Sequence, residues 1–186
     1  MLLKRPKWHG PFDIVGDLHG CMNELLALMA ALGYRVESLE DSFAASPPLG
    51  RRLVFVGDLV NRGPATPQVL RLVMSMVRMG QALCVPGNQD MKLCTALKGM
   101  AVAPTPGLTR SLEQFADEPA EFRAEAMEFL DALPSYCILD DGKLVIAHAG
   151  LPEHMQGSNS ARARAFALGG ETTGETDEFG LAVRCN

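Results

Sequence analysis

The chain is short of positive charge. Its 186 residues carry 17 Lys and Arg against 22 Asp and Glu, a formal net charge of -5, which excludes coating nucleic acid through a broad basic face. A local phosphate pocket remains open to it. Long apolar runs are missing too. No stretch approaches the roughly 20 apolar residues of a membrane span, and the opening MLLKRPKWHG lacks the apolar core of a signal peptide. A cytoplasmic protein without a membrane partner is expected. The five cysteines, Cys21, Cys84, Cys94, Cys137 and Cys185, include no C-x-x-C pair. Neither a disulfide framework nor a zinc knuckle is indicated, and inert packing thiols are expected. With 47% hydrophobic residues, a chain of this length buries one good core and not two. Residues 1–186 are therefore read as a single domain, with its core in 11–150 and an irregular tail over 157–186.

What is present is a repeated unit. Phe12 to Val15 is a short apolar run that stops at Gly16, and Leu25, Leu28, Met29 and Leu32 then recur at helical spacing before Gly33. Residues 37–50 are polar and contain Pro, which reads as a loop or insertion. A second buried strand over residues 53–56 ends at Gly57. Thr66 as N-cap and Pro67 as first helical residue open a helix with the stripe Leu70, Val73, Met74 and Val77, closed by Gly80. Residues 82–85 form the next strand. The distance from Gly57 to Gly87 matches the roughly 30 residues of a βαβ unit, which returns a parallel strand ending on the same sheet edge. Residues 100–107 are too rich in Pro and Gly for regular structure. Phe122, Ala126, Phe129, Leu130 and Leu133 mark a later helix, and Asp141-Gly142 joins a hairpin of residues 136–139 and 144–147. Beyond Gly157 the chain reads as loop, with a helical turn around residues 161–168.

Three of these strands run into Gly and then an oxygen-bearing residue: Gly16-Asp17, Gly57-Asp58 and Gly87-Asn88. A fourth runs into His148. Ligands of open α/β sheets sit beyond the carboxyl ends of the strands, so Asp17, Asp58, Asn88 and His148 are expected around one crevice. His19 joins Asp17 because residues i and i+2 of an extended segment share a side. Two carboxylates, two imidazoles and one amide oxygen suit Mn, Fe, Zn or Ni better than Ca. Asp58 is placed to bridge two cations about 3.5–4 Å apart, and the planar fork of Arg62 to hold phosphate.

At Gly16-Asp17-Leu18-His19-Gly20, Gly57-Asp58-Leu59-Val60-Asn61-Arg62-Gly63, Gly87-Asn88-Gln89-Asp90 and His148-Ala149-Gly150, the chain resembles the calcineurin-like metallophosphoesterases of the phosphoprotein-phosphatase branch. Residues 170–180, with 69–77 and 82–87, look most like the phosphatase domain of bacterial polynucleotide kinase-phosphatases. The kinase module of such proteins has no counterpart here, since no G-x-x-x-x-G-K-[ST] loop occurs. Kinase or ligase modules would come from other chains. The resemblance implies an α/β fold, a two-sheet αββα sandwich, with C-terminal truncation left open. It also implies two divalent cations, Mn first, held by Asp17, His19, Asp58, Asn88 and His148. Metal-activated water then attacks a phosphate monoester, which includes RNA or DNA ends, while Arg62 and Asn88 orient the phosphate.

The pattern breaks at two positions. Family members usually carry Asp at 61 and His at 89, a pair whose His protonates the leaving oxygen, whereas this chain has Asn61 and Gln89; relatives that hydrolyse dinucleoside tetraphosphates also lack the Asp, so the change at 89 is the serious one. Neither side chain supplies a titratable proton, and general acid catalysis is worth about 10²–10⁴ in rate. A further family ligand, a His in a C-terminal G-H-T/P motif, has no counterpart, because only His154 follows Gly150. His154, His9, Arg162 and Arg164 read as surface residues, and the acidic run at 175–178 as a structural segment or lid. Three readings remain: a phosphoesterase with weakened acid catalysis; an impaired homologue that only binds metal and phosphate; and a Ser/Thr protein phosphatase or dinucleoside tetraphosphatase with the same chemistry.

Overall fold

Alternation along two short strands explains the architecture. In residues 52–55 and 82–85, Leu53, Phe55, Ala82 and Cys84 face one way and Val54, Leu83 and Val85 the other, and all are buried. A strand apolar on both faces needs a layer on each side. The computed structural model, which describes all residues except 1, 6, 41, 177–181 and 185–186, supplies both layers.

The elements run β1 (Leu2–Arg5), β2 (Phe12–Val15), α1 (Met22–Ala31), β3 (Arg35–Ser38), β4 (Phe43–Ser46), β5 (Arg52–Phe55), α2 (Thr66–Arg78), β6 (Ala82–Cys84), α3 (Asn88–Leu97), α4 (Pro106–Ala116), α5 (Ala120–Ala132), β7 (Tyr136–Leu139), β8 (Leu144–Ile146), α6 (Ala161–Gly169), β9 (Thr172–Thr176) and β10 (Ala182–Arg184). Strands β2, β5 and β6 form a parallel sheet in the order β2-β5-β6, and β1-β7-β8 a mixed one. Val54, Leu83 and Val85 pack against Cys137, Leu139 and Ile146 of the second sheet. Leu53, Phe55 and Cys84 pack against Leu25 and Met29 of α1, Leu70 and Val73 of α2, Leu93 of α3, Phe115 of α4 and Leu130 of α5. This is the α/β, two-sheet metallophosphoesterase arrangement that the motifs lead one to expect. Burial pushes the Cys137 thiol up to about 12 and that of Cys84 well above its ordinary value, so both are packing groups.

Several expectations are corrected. Residues 37–50 are not simply loop: β3 and β4 form an antiparallel hairpin. Tertiary contact makes it, because Ala45 is buried in the core and Ser75 of α2 donates to the Phe43 carbonyl at 2.6 Å. Thr66 is the first helical residue of α2 and not its cap; its amide donates to Gln114 Oε1 at 2.8 Å, so a neighbouring helix does the capping. Residues 100–107 are not wholly irregular, since α4 starts at Pro106 with Thr105 as N-cap, whose side chain accepts from the Leu108 amide. A Thr-Pro pair opens α2 as well, there with Thr66 already helical, and Leu108, Leu112 and Phe115 continue α4 at helical spacing. The tail is more regular than one helical turn: α6 is a nine-residue helix capped by Ser160, whose hydroxyl accepts from the Ala163 amide, and β9 and β10 pair antiparallel. The acidic run at 175–178 falls partly outside the described residues. Strand β1, parallel to β7, had no sequence signal beyond Leu2 and Leu3.

Within β2, the buried Asp13 accepts hydrogen bonds from Arg51 Nε and from the Tyr34 hydroxyl, each at 2.8 Å. The Arg51 hydrogen bond holds the carboxyl below its ordinary 3.8, against the opposing effect of burial. A depressed carboxylate contributes stability that is fully present above the unfolded value and is lost as pH falls through the folded one. Asp13→Asn should therefore flatten the acid limb of stability against pH, read as urea midpoints between neutral pH and pH 2. Phe55→Ala, which empties a fully buried site, should cost about 3–5 kcal/mol in the same urea assay at pH 7.

Candidate metal centre

Parallel strands β2, β5 and β6 end on one edge, and each runs into a loop that carries donors. Asp17 and His19 follow β2, Asp58 follows β5, and Asn88 opens α3 after the short turn that leaves β6. His148 arrives from the second sheet, two residues past β8. The loops are stitched together by their backbones. Leu18 and His19 donate to the Asp58 carbonyl at 3.0 and 2.8 Å, Gly20 donates to the Leu59 carbonyl at 2.8 Å, and Gly63 donates to the His19 carbonyl at 2.8 Å. Such close approach requires glycine: a Cβ at Gly87 would fall inside the Asp58 carboxylate, and one at Gly57 (φ +85) inside the Gly87 backbone.

A residue that sequence reading passed over holds the third loop. Asp90, fully buried, accepts from the Leu59 amide at 2.9 Å and from the Gly87 amide at 2.8 Å. Burial pushes its carboxyl up to about 7, the Asp58 charge adds to this, and the amide donors of Gly87, Leu59 and Val60 pull it back. Its signal was its place at the third position of α3, where an acidic side chain can cap the preceding turn.

Asp58 is the centre of the set. It is 4% exposed, and its two carboxylate oxygens face different imidazoles: Oδ1 lies 3.7 Å from His148 Nε2, and Oδ2 lies 4.0 Å from His19 Nε2. His19 Nε2 is also 3.6 Å from Asp17 Oδ2. Each imidazole uses its other nitrogen on a backbone carbonyl, His19 Nδ1 on Val60 at 3.1 Å and His148 Nδ1 on Val56 at 2.8 Å. An Nδ1–H held in this way leaves the Nε2 lone pair aimed into the cluster, the orientation of a metal-ligating histidine. Donor atoms of Asp17, Asp58 and His148 all lie within 4.8 Å of one another. Among the described residues, Asp58 and Asp90 have no Lys or Arg partner. Buried carboxylates this close need a countercharge, and a mixed N/O set of this kind suits divalent transition ions.

Asn88, Gln89 and Asn61 line the other side of Asp58. The Gln89 backbone N–H donates to Asp58 Oδ1 at 2.9 Å, the Asn88 side-chain amide lies 3.2 Å from both Asp58 oxygens, and Asn61 Nδ2 donates to Gln89 Oε1 at 3.1 Å. The structure thus brings the two divergent positions, 61 and 89, into direct contact. The Asn61–Arg62 turn is left-handed at both residues, with φ of 70° and 66°. Such strained non-glycine geometry persists only where neighbours enforce it. Helix α4 does so here: Ser111 Oγ accepts from the Asn61 amide at 3.1 Å, and Gln114 Nε2 donates to the Gly63 carbonyl at 3.0 Å. Arg62 itself is exposed, and its carbonyl accepts from Arg110. His154, Arg162 and Arg164 are exposed and outside the ligand group. His9 pairs with Asp140 at 2.7 Å.

Comparison with known proteins bears on the family. The profile of the calcineurin-like phosphoesterases matches residues 10–178. The bis(5'-nucleosyl)-tetraphosphatase PrpE [asymmetrical] of Anoxybacillus flavithermus is 40% identical over 177 residues, 93% of this chain and 71% of that one. Its Bacillus subtilis namesake is 37% identical over 180 residues, with the same shares covered. A crystal structure of a protein assigned as a diadenosine tetraphosphatase aligns at TM-score 0.56 and 29% identity, over 81% of this chain and 55% of its own. A Saccharomyces cerevisiae protein serine/threonine phosphatase shares the fold at TM-score 0.56 and 15% identity, over 90% of this chain and 51% of its own. This chain therefore spans about half the length of those solved structures. With its motifs gathered at the strand ends and the profile covering most of its length, the chain belongs to the calcineurin-like phosphoesterase family, hydrolases that act on phosphate esters.

Proposed function

We propose that the chain hydrolyses phosphoanhydrides of the dinucleoside tetraphosphate class at a centre of two divalent cations. Asp17, His19, Asp58, Asn88 and His148 hold the ions, and Arg62 binds the phosphate with help from Asn88. The observation that carries this is the division of the Asp58 carboxylate between His19 and His148, each with its Nδ1 turned to a backbone carbonyl. Mn is the first choice of ion, with Fe, Zn or Ni as alternatives. Cations there supply charge to polarise phosphate and hydroxide at neutral pH.

Two lines support the substrate class. Relatives over 93% of the chain carry the tetraphosphatase name. The second is chemical. Gln89 and Asn61 bring no titratable acid to the leaving oxygen. Cleaving a phosphoanhydride releases a phosphate, stable as an anion, whereas cleaving an alkyl phosphate releases an alkoxide that needs protonation. A neutral amide pair is therefore tolerable for the first reaction and damaging for the second. Phosphate removal from RNA or DNA ends, alongside kinase or ligase modules on other chains, is the second reading. It rests on the likeness of residues 170–180, which lie partly outside the described residues.

Mn²⁺-dependent turnover of diadenosine tetraphosphate, p-nitrophenyl phosphate and an end-phosphorylated oligonucleotide separates these readings, with Asp58→Ala as the control for contaminating phosphatase. The first two should be hydrolysed, the oligonucleotide about 10²-fold slower or worse, and all activity should vanish in the control. Equal rates on all three would sink the leaving-group argument. A folded, Mn²⁺-binding protein that turns over none would be a binding module. Gln89→His should raise the oligonucleotide rate more than the tetraphosphate rate.

A further inference from the structure

Three side-chain amides stand in line at this site. Starting from Asp58, the Asn88 amide lies 3.2 Å from both carboxylate oxygens, Gln89 Nε2 lies 3.0 Å from the far side of the Asn88 amide, and Gln89 Oε1 accepts from Asn61 Nδ2 at 3.1 Å. Beyond this, Asn61 Oδ1 is buried with no hydrogen-bond partner among the described residues. A primary amide has an acceptor end and a donor end, so each contact in such a line must join one oxygen to one nitrogen. The line therefore has two directions, and turning one amide over obliges the others to turn. Among the described residues no donor reaches Asn61 Oδ1, so its buried end does not lock the direction. Asp58 does.

Facing the bare carboxylate, Asn88 must present its nitrogen. Its oxygen then accepts from Gln89 Nε2, and Gln89 Oε1 accepts from Asn61 Nδ2. With a cation on Asp58, Asn88 must present its oxygen to join the ligands. Its nitrogen then needs Gln89 Oε1, and Gln89 Nε2 needs Asn61 Oδ1. We propose that Asn88, Gln89 and Asn61 form an amide relay whose direction is set by the cation site, so that cation binding turns over the Asn61 amide at the start of the Arg62 turn. This rests on the cation site proposed above and gives the two divergent residues one shared positioning role. A carboxylate in the line would remove this freedom, since a carboxylate cannot donate.

The test is solution NMR of protein carrying ¹⁵N in its Asn and Gln side chains, titrated with diamagnetic Zn²⁺. The Asn61 resonances are assigned by their loss in Asn61→Asp, and those of Asn88 by their loss in Asn88→Asp. In the unsubstituted chain, Zn²⁺ should move the NH₂ resonances of Asn88, Gln89 and Asn61 by more than their linewidths. In Gln89→Met, close in shape but unable to relay, Zn²⁺ should still move Asn88 and should leave Asn61 in place. An Asn61 signal indifferent to Zn²⁺ while Asn88 responds, or one that still moves in Gln89→Met, overturns the relay and spares the cation site. An Asn88 signal that never responds overturns both.

Discussion

The structure depends on a buried negative charge at the carboxyl end of β5. Asp58 is almost wholly enclosed, Asp90 lies behind it fully enclosed, and among the described residues neither has a Lys or Arg to answer it. Moving an unpaired carboxylate out of water is expensive, and two together repel. The fold offsets part of this with peptide N–H groups, and burial raises Asp90 toward neutrality. Asp58 itself faces two imidazole nitrogens and the Asn88 amide, and among the described residues no cationic side chain answers its charge. A divalent ion is the countercharge that such a set is shaped to accept.

Much of the rest follows from keeping those groups in place. His19, Asp58, Asn61 and Arg62 all adopt left-handed backbone angles, each at some cost in free energy. They are maintained because the loops after β2, β5 and β6 bond to one another and because α4 buttresses the turn at 61–63. The core behind them is dense on both faces of β5, so local strain is held by packing that lies well away from the site. Glycine at 57 and 87 is a consequence of the same crowding.

The two amides at 61 and 89 bear on what the centre can do. Side chains that touch here would, as an acid pair, deliver a proton; as amides they deliver only orientation. On the function proposed above, this shifts the chemistry toward leaving groups that are stable as anions, in keeping with the tetraphosphatase name of the relatives. The direction of the Asn88 amide links this pair to whatever sits on Asp58.

Strand, turn and donor were legible together wherever local chemistry suffices. An apolar run that stops at Gly and then Asp or Asn names both a strand end and a candidate ligand, so Asp17, His19, Asp58, Asn88 and His148 could be picked out from the order of residues alone, as could α2 and the hairpin at 141–142. The β3–β4 hairpin was not legible, because its strands are specified by packing on α2 and by little in their own pattern. Helix α4 was hidden behind Pro and Gly, although Thr105-Pro106 carried its start. The bond of Asp90 to the Leu59 amide and the orientation of the imidazoles lay beyond the sequence for a different reason: hydrogen bonds to the Leu59, Val60 and Val56 backbone exist only once distant loops meet. Sequence determined which groups could bind; only tertiary structure decided that Asp58 divides its oxygens between two histidines and that residues 61 and 89 touch, since both depend on contacts across 28 to 92 positions of chain.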